Sequence, residues 1–160
     1  MVQNIKEVPY GVSDFQTMVE QNIYYVDKTM YIPELEKQAR YLIFIRPRRF
    51  GKSIFLGMLH AYYDIRTKHK FQQWFGNLWI GKHPTPLQGR YQVMHLDFSQ
   101  VGGNIDNLEE KFNFYMGVQL DGFVRDYAEF YSDELRRKVN ATQDAGGKLA
   151  LIQSEAKVKE

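Results

Sequence analysis

The sequence predicts an α/β fold with a parallel sheet, and three observations predict it. The apolar run at residues 41–45 is continuous, which is typical of a strand buried on both faces. A helical pattern follows from Lys52, and a second strand-like run lies at residues 91–98 before another helical segment. This order of strand, helix, strand and helix favours parallel strands that are joined by crossover helices.

The composition bounds the class of protein. The net charge of +2 is too small to predict nucleic-acid binding from bulk charge alone. Because the sequence has no cysteine, a disulfide framework, a thiolate metal site and a cysteine nucleophile are excluded. No apolar run approaches the roughly 20 residues that a membrane helix needs. We therefore expect a cytoplasmic protein that does not associate with a membrane.

The residues before the first strand predict two short helices. Ser13 or Asp14 is a candidate cap for a helix that carries Phe15 and Met18 on its inner side. Asp27 would cap a second helix over about residues 30–40. After the first strand, apolar residues recur at steps of three and four and predict a helix whose inner face is Ile54, Phe55, Met58, Leu59 and Tyr62.

The later segments predict further helices and a polar end. The aromatic cluster at residues 74–80 predicts a short helix folded onto the core, and residues 105–131 predict a long amphipathic helix. Residues 132–160 are polar and predict one or two exposed helices. Since two strands are too few for a stable sheet, we expect the natural domain to continue past Glu160. The expected division is residues 1–131, the N-terminal part of that domain, and residues 132–160, a polar helical tail.

Residues 46–53 carry most of a phosphate-binding loop. The pattern is a glycine, four residues of any type, and then Gly-Lys-Ser or Gly-Lys-Thr. Gly51, Lys52 and Ser53 match it, whereas Arg46 stands in place of the first glycine. A glycine lets backbone amides close around a phosphate. The lysine supplies a cation for the β- and γ-phosphates, and the serine hydroxyl is a ligand for Mg²⁺.

The loop therefore predicts a P-loop site with ATP and Mg²⁺ as its ligands. Lys52 is the candidate catalytic residue. The candidate nucleotide-binding residues are Arg48, Arg49, Phe50, Gly51, Lys52, Ser53 and Ile54. Asp97 ends the second predicted strand, so together with Ser53 it is a candidate partner of the metal ion, although no second acid follows it to activate water.

Plainer interpretations of the same residues stay open. Gly51 would then lie in an ordinary turn with Lys52 and Ser53 in solvent, and Arg48 and Arg49 would be solvated charges or partners of carboxylates. In a second functional hypothesis the chain is a nucleic-acid-binding or regulatory module that keeps the loop but does not use ATP. That hypothesis depends on the aromatic residues and on Arg46, Arg48, Arg49, Lys52 and Arg90.

Four motifs in order resemble the bacterial AAA-ATPase-like family. They are Gly-Val-Ser-Asp-Phe at residues 11–15, Tyr-Tyr-Val-Asp-Lys-Thr at 24–29, the loop with its preceding isoleucine at 45–53, and Tyr-Gln-Val-Met-His-Leu-Asp-Phe at 91–98. The family also has arginine where the standard loop has its first glycine. The resemblance implies a P-loop fold of the additional-strand type, ATP as ligand and a bacterial cytoplasmic protein.

The resemblance also implies what lies outside these residues. Family members continue to a Walker B strand and often end in a PD-(D/E)XK nuclease-like domain, and neither occurs in this sequence. We therefore expect ATP hydrolysis to need residues beyond this chain, and such a nuclease-like domain would make nucleic acid a partner of the longer protein. The oligomeric state is not predicted. By position in related ATPases, the segment at residues 25–29 is a candidate contact to the adenine, with Asp27, Lys28 and Thr29 as its candidate residues.

Overall fold

The computed structural model describes residues 6–38, 41–45, 47, 50–102 and 105–156. The chain forms two compact units, Met1–Val93 and Met94–Glu160. Each unit is built from helices and loops throughout its described part.

The first unit contains five α-helices and two 3₁₀ segments among its described residues. The 3₁₀ segments are Thr29–Tyr31 and Ile65–Lys70. The α-helices are α1 (Phe15–Glu20), α2 (Ile32–Glu36), α3 (Lys52–Tyr63), α4 (Phe71–Phe75) and α5 (Trp79–Lys82).

Helix α3 forms the centre of the first unit's core. Phe55, Met58 and Tyr62 are buried on its inner side, and Ile54 and Leu59 pack partly buried against the same cluster, as their spacing predicted. Phe15 from α1 joins the cluster, and its ring lies 5.1 Å from the ring of Phe75. Burial of these large apolar side chains is the main stabilising contribution to this unit.

The predicted Asp14 cap is present, whereas the predicted Asp27 cap of a helix over about residues 30–40 is wrong, because Tyr31 precedes α2 and Asp27 instead closes a turn before the first 3₁₀ segment. The Asp14 carboxylate accepts hydrogen bonds from the backbone N–H and the hydroxyl of Thr17, at 2.7 and 2.8 Å, and so begins α1. Asp27 accepts from the backbone N–H of Thr29 at 2.8 Å, where the first 3₁₀ segment begins. The aromatic cluster also lies where the sequence predicted, because Trp74, Phe75 and Ile80 are buried on α4 and α5.

The predicted α/β fold with a parallel sheet is wrong. Residues 41–45 form no strand, and Tyr41, Ile43 and Ile45 are 91%, 88% and 86% exposed. In the second predicted strand, only Tyr91 makes a β-type contact, a single isolated parallel bridge to Asp64. No sheet exists within the described residues, so the P-loop fold of the additional-strand type is not the architecture observed.

The reason is that a strand depends on its neighbours for its backbone hydrogen bonds. The N–H and C=O groups of Tyr91 pair with the end of α3 and the residue that follows, through Tyr63 C=O and Ile65 N–H at 2.9 Å each. That pairing uses both backbone hydrogen-bonding groups of Tyr91 at the end of α3. A continuous apolar run indicates suitability for burial, but it does not supply the neighbouring strands.

The second unit packs three α-helices together. They are α6 (Leu108–Asp126), α7 (Asp133–Ala141) and α8 (Ala145–Ala156), with 3₁₀ segments at Ile105–Asn107 and Ala128–Phe130. The predicted helix over residues 105–131 is therefore shorter than expected and ends in a 3₁₀ turn on each side.

Side chains hold the ends of these helices. Ser132 caps α7 by accepting from the backbone N–H of Leu135 at 3.1 Å, and its own N–H donates to Glu155 at 3.0 Å. On α8, Lys148 is only 5% exposed, and its ammonium donates to Asp121 of α6 at 2.5 Å. A charged pair at this interface fixes how α8 lies on α6.

Candidate functional site

The candidate site is built around the start of α3. Gly51 precedes the helix with φ +73° and ψ 22°, a left-handed conformation that glycine adopts readily and other residues adopt at a cost. Lys52, Ser53 and Ile54 then form the first turn, and the first helical hydrogen bond runs from Phe55 N–H to Gly51 C=O at 3.0 Å. The Gly-Lys-Ser triplet thus coincides with the beginning of a 12-residue helix.

The first turn of α3 presents backbone donors. The amides at the start of any α-helix lack acceptors within that helix, and Gly51 has no side chain that would cap them. The aligned peptide dipoles add a partial positive charge at the same end. This end of α3 is therefore suited to an anion.

Two cavities meet at Gly51. The smaller has a volume of about 270 Å³, and the larger has a volume of about 530 Å³. Volumes of roughly 300–1,000 Å³ are typical of small-molecule sites. Five residues line both cavities: Val26, Lys28, Phe50, Gly51 and Phe55.

The walls of the cavities are mainly apolar and aromatic. Tyr24, Tyr25 and Ile54 line the smaller cavity, and Tyr31 and Phe44 line the larger one. The Phe44 ring stacks on the ring of Phe55, with 5.1 Å between the centroids. Such walls bind flat apolar groups by burial and stacking.

The structure brings part of the candidate adenine segment to this site. Asp27 and Lys28 line the larger cavity together with Phe50 and Gly51. Thr29 lines neither cavity and is completely buried. The predicted contacts of these three residues with adenine stay predictions.

Asp27 and Thr29 attach this segment to α5. Asp27 Oδ1 accepts from the Thr29 hydroxyl at 2.7 Å, and Asp27 Oδ2 accepts from the Trp79 N–H at 2.7 Å. The Thr29 hydroxyl oxygen in turn accepts from the Ile80 N–H at 3.1 Å. Both residues that flank Lys28 are therefore held by hydrogen bonds to the first turn of α5.

The other predicted phosphate-binding residues lie next to Gly51 in the sequence. Lys52 and Phe50 lie on either side of Gly51, with Phe50 60% exposed and Lys52 half-buried, and Ser53 is exposed. Arg48 and Arg49 lie outside the described residues, as does Arg46. Their predicted phosphate contacts stay predictions.

Asp97, the second candidate metal partner, lies in the second unit. Its Oδ1 accepts from the Ser99 N–H at 2.8 Å, and these hydrogen bonds from Ser99 lower the pKa of its carboxyl group. The Gln119 side chain binds the Asp97 backbone on both sides, accepting from its N–H at 2.6 Å and donating to its C=O at 3.0 Å. The Asp97 carboxylate thus accepts from Ser99 while Gln119 holds its backbone, and its role as a metal partner stays a prediction.

Tyr25, the first residue of the candidate adenine segment, also lies at this site. It lines the smaller cavity, and its hydroxyl oxygen is buried without a hydrogen-bond partner among the described residues. Burial is the main cause that raises the pKa of its phenol to about 12, and the charge of Asp27 is the second. The nearby Lys28 backbone N–H opposes this rise, although it does not reach hydrogen-bonding geometry with the phenol oxygen. The signal in the sequence was the aromatic pair before Val26, but an aromatic pair does not show which ring faces a cavity.

With this geometry in hand, comparison with known proteins identifies the class. The sequence model of the AAA-ATPase-like family, described as "Predicted AAA-ATPase", matches residues 9–159. The chain belongs to this family.

The similarity to an individual protein is more local. Over 55 residues the chain is 44% identical to a protein of Azotobacter chroococcum mcd 1, named "Uncharacterized protein in vnfD 5′region". The aligned part covers 34% of this chain and 11% of that protein. No solved structure matches this chain.

The described residues contain neither a membrane-spanning helix nor a cluster of metal ligands. None of their helices combines the length and the apolar character that crossing a membrane requires. No group of three or more histidine, aspartate or glutamate side chains converges there to hold a metal ion.

Proposed function

We propose that this chain binds Mg-ATP at the start of α3. The observation that carries the proposal is the left-handed Gly51, followed at once by Lys52 and Ser53 as the first two residues of the helix. A glycine in this conformation, a lysine and a hydroxyl at the beginning of a helix are the groups that hold nucleotide phosphates in phosphate-binding loops. Membership of the AAA-ATPase-like family supports the same choice.

Each part of the nucleotide has a counterpart in this arrangement. The first-turn amides, including that of Ile54, would donate to phosphate oxygens, and the Lys52 ammonium would offset their negative charge. The Ser53 hydroxyl would be a ligand of Mg²⁺, which when bound neutralises charge on the phosphates. The fit rests on the open space at Gly51, where an added Cβ would meet no atom within 4 Å.

The base would lie against the apolar walls beside Gly51. Phe50 lines both cavities, and the aromatic side chains around it supply surfaces for stacking. Binding a flat base there would bury apolar area while the phosphates extend toward the charged and polar groups of α3.

The test is calorimetric titration with a non-hydrolysable ATP analogue, with and without Mg²⁺. We expect saturable binding that Mg²⁺ strengthens, and a loss of roughly tenfold to a hundredfold in affinity for Lys52→Ala, because a charge-assisted contact is removed. Lys37→Ala is the control, since Lys37 is exposed directly after α2 and already pairs with Glu34. Equal affinity of the Lys52→Ala variant and the wild type, or no binding by folded wild type, would contradict the proposal.

A further inference from the structure

The Lys28 side chain differs from those of Asp27 and Thr29, which both accept hydrogen bonds from the first turn of α5. It lies between Asp27 and Thr29 and lines both cavities at Gly51. Among the described residues no hydrogen bond or ion pair reaches its ammonium group. It is nevertheless only partly exposed to solvent.

The carboxylates near Lys28 are engaged elsewhere. Asp27 uses one oxygen for Thr29 and the other for the Trp79 N–H. Glu34, which also lines the larger cavity, pairs with Lys37 at 2.9 Å. A partly desolvated cation beside apolar walls is stabilised when an anion binds next to it.

The backbone on both sides of Lys28 is fixed. Asp27 and Thr29 are each hydrogen-bonded to the first turn of α5, which holds this short segment in place beside Gly51. The two flanking residues thus position the segment, and the residue between them is left available for a ligand.

We propose that Lys28 is a second cation of the nucleotide site and binds the polyphosphate of a nucleoside triphosphate. This inference rests on the proposed function at α3. It assigns Lys28 to the phosphates and not to the base, because an ammonium gains most beside the most strongly charged part of the ligand. Two cations would then act on one polyphosphate, Lys52 from α3 and Lys28 from the segment attached to α5.

The assignment predicts selectivity by the number of phosphates. A cation that contacts the terminal phosphates should matter most for a triphosphate, less for a diphosphate and little for a monophosphate. All three ligands have the same base and therefore the same stacking contribution to affinity. Differences in the affinity loss among them consequently report the phosphates.

The experiment titrates wild type, Lys28→Met, Lys28→Arg and Lys37→Met with a non-hydrolysable ATP analogue, ADP and AMP. For Lys28→Met we expect a loss of roughly tenfold or more with the ATP analogue, a smaller loss with ADP and almost none with AMP. Lys28→Arg should retain most of the affinity for the ATP analogue, since the charge is kept. Lys37→Met removes the same charge from a nearby exposed position and should change no affinity by more than about twofold.

The outcomes separate the two proposals. Unchanged binding of the ATP analogue by Lys28→Met, or an equal loss with all three ligands, would overturn the role of Lys28 even if Lys52→Ala abolishes binding. A folded wild type that binds none of the three ligands would overturn the nucleotide site and the role of Lys28 together. Circular dichroism of each variant shows whether a loss reflects unfolding instead.

Discussion

Asp27 Oδ2 accepts a 2.7 Å hydrogen bond from the backbone N–H of Trp79, which lies 52 residues further along the chain. This bond joins the segment beside Gly51 to the first turn of α5. Its neighbour Oδ1 closes the turn onto Thr29, so that a single carboxylate satisfies donors from two separate parts of the unit.

Replacing Asp27 should destabilise the first unit. In Asp27→Ala the N–H groups of Thr29 and Trp79 lose their acceptor, and we expect the free energy of unfolding to fall by about 2 kcal/mol. Urea unfolding followed by tryptophan fluorescence measures this, because Trp74 and Trp79 both lie in the first unit.

The control for Asp27 is Glu34→Ala. This change removes a carboxylate from the same region, but Glu34 is 63% exposed and holds only a surface ion pair. Its effect should stay within about 0.5 kcal/mol. Similar losses for the two variants would show that the hydrogen bonds of Asp27 contribute nothing beyond a surface charge.

Two glycines near the start of α3 should respond to alanine with opposite signs. Gly51 has φ +73°, so Gly51→Ala should cost roughly 1 kcal/mol in backbone strain, although its new Cβ meets no atom within 4 Å. Gly57 lies inside the helix, and its new Cβ would lie 3.8 Å from Phe15, an ordinary contact. Gly57→Ala should therefore raise the free energy of unfolding by about 0.5–1 kcal/mol.

Urea unfolding of the two variants, together with Gly51→Asn, checks this prediction. Asparagine tolerates the left-handed conformation better than alanine, so Gly51→Asn should lose less stability than Gly51→Ala. If Gly51→Ala were as stable as Gly57→Ala, the left-handed conformation of Gly51 would be wrong.

The sequence predicted what depends on neighbouring residues along the chain. The inner face of α3 and the Asp14 cap follow from spacings of three and four residues, and both are present. The Gly-Lys-Ser triplet likewise located the start of the helix. In each case the residues that interact lie within one turn of each other, so the local pattern contains the information.

The failures concern partners that are distant in sequence. The apolar residues 41–45 predicted a strand, but strand formation depends on neighbours that local composition cannot reveal. In the same way nothing near Asp27 shows that its second oxygen binds Trp79, or that no carboxylate within the described part of the chain pairs with Lys28. The candidate site was therefore predicted at Gly51 and only incompletely at the segment that faces it.

In the second unit, replacing Asp121 should destabilise the protein more than replacing its partner Lys148. Asp121→Ala leaves the nearly buried Lys148 without its carboxylate and should cost about 2 kcal/mol, reduced from the full cost of a buried charge because Asp121 is 41% exposed. Lys148→Met removes the charge and keeps most of the packing, so its cost should be smaller.

The double variant Asp121→Ala/Lys148→Met completes this test. Once Lys148 no longer carries a charge, removal of Asp121 should have little further effect, and the double variant should be more stable than Asp121→Ala alone. Urea unfolding followed by circular dichroism measures the free energy of unfolding of each variant, because the signal reports the loss of helix. Additive losses would mean that the two side chains do not interact.

The last prediction concerns the stability of the first unit in alkali. The folded protein raises the pKa of Tyr25 from 10.0 to about 12, chiefly because the phenol is buried. Between these two pH values the unfolded chain has released the proton while the folded chain still holds it, so the free energy of unfolding falls as pH rises. Burial and the nearby Glu36 also raise the pKa of Tyr63.

Tyr25→Phe should remove part of this loss of stability in alkali. At pH 7 it should be neutral or stabilising by up to about 1 kcal/mol, since it deletes a buried hydroxyl that has no hydrogen-bond partner among the described residues. Urea unfolding of both proteins at pH 7 and pH 11 makes the comparison, and an unchanged pH dependence in Tyr25→Phe would assign the alkaline loss to other groups.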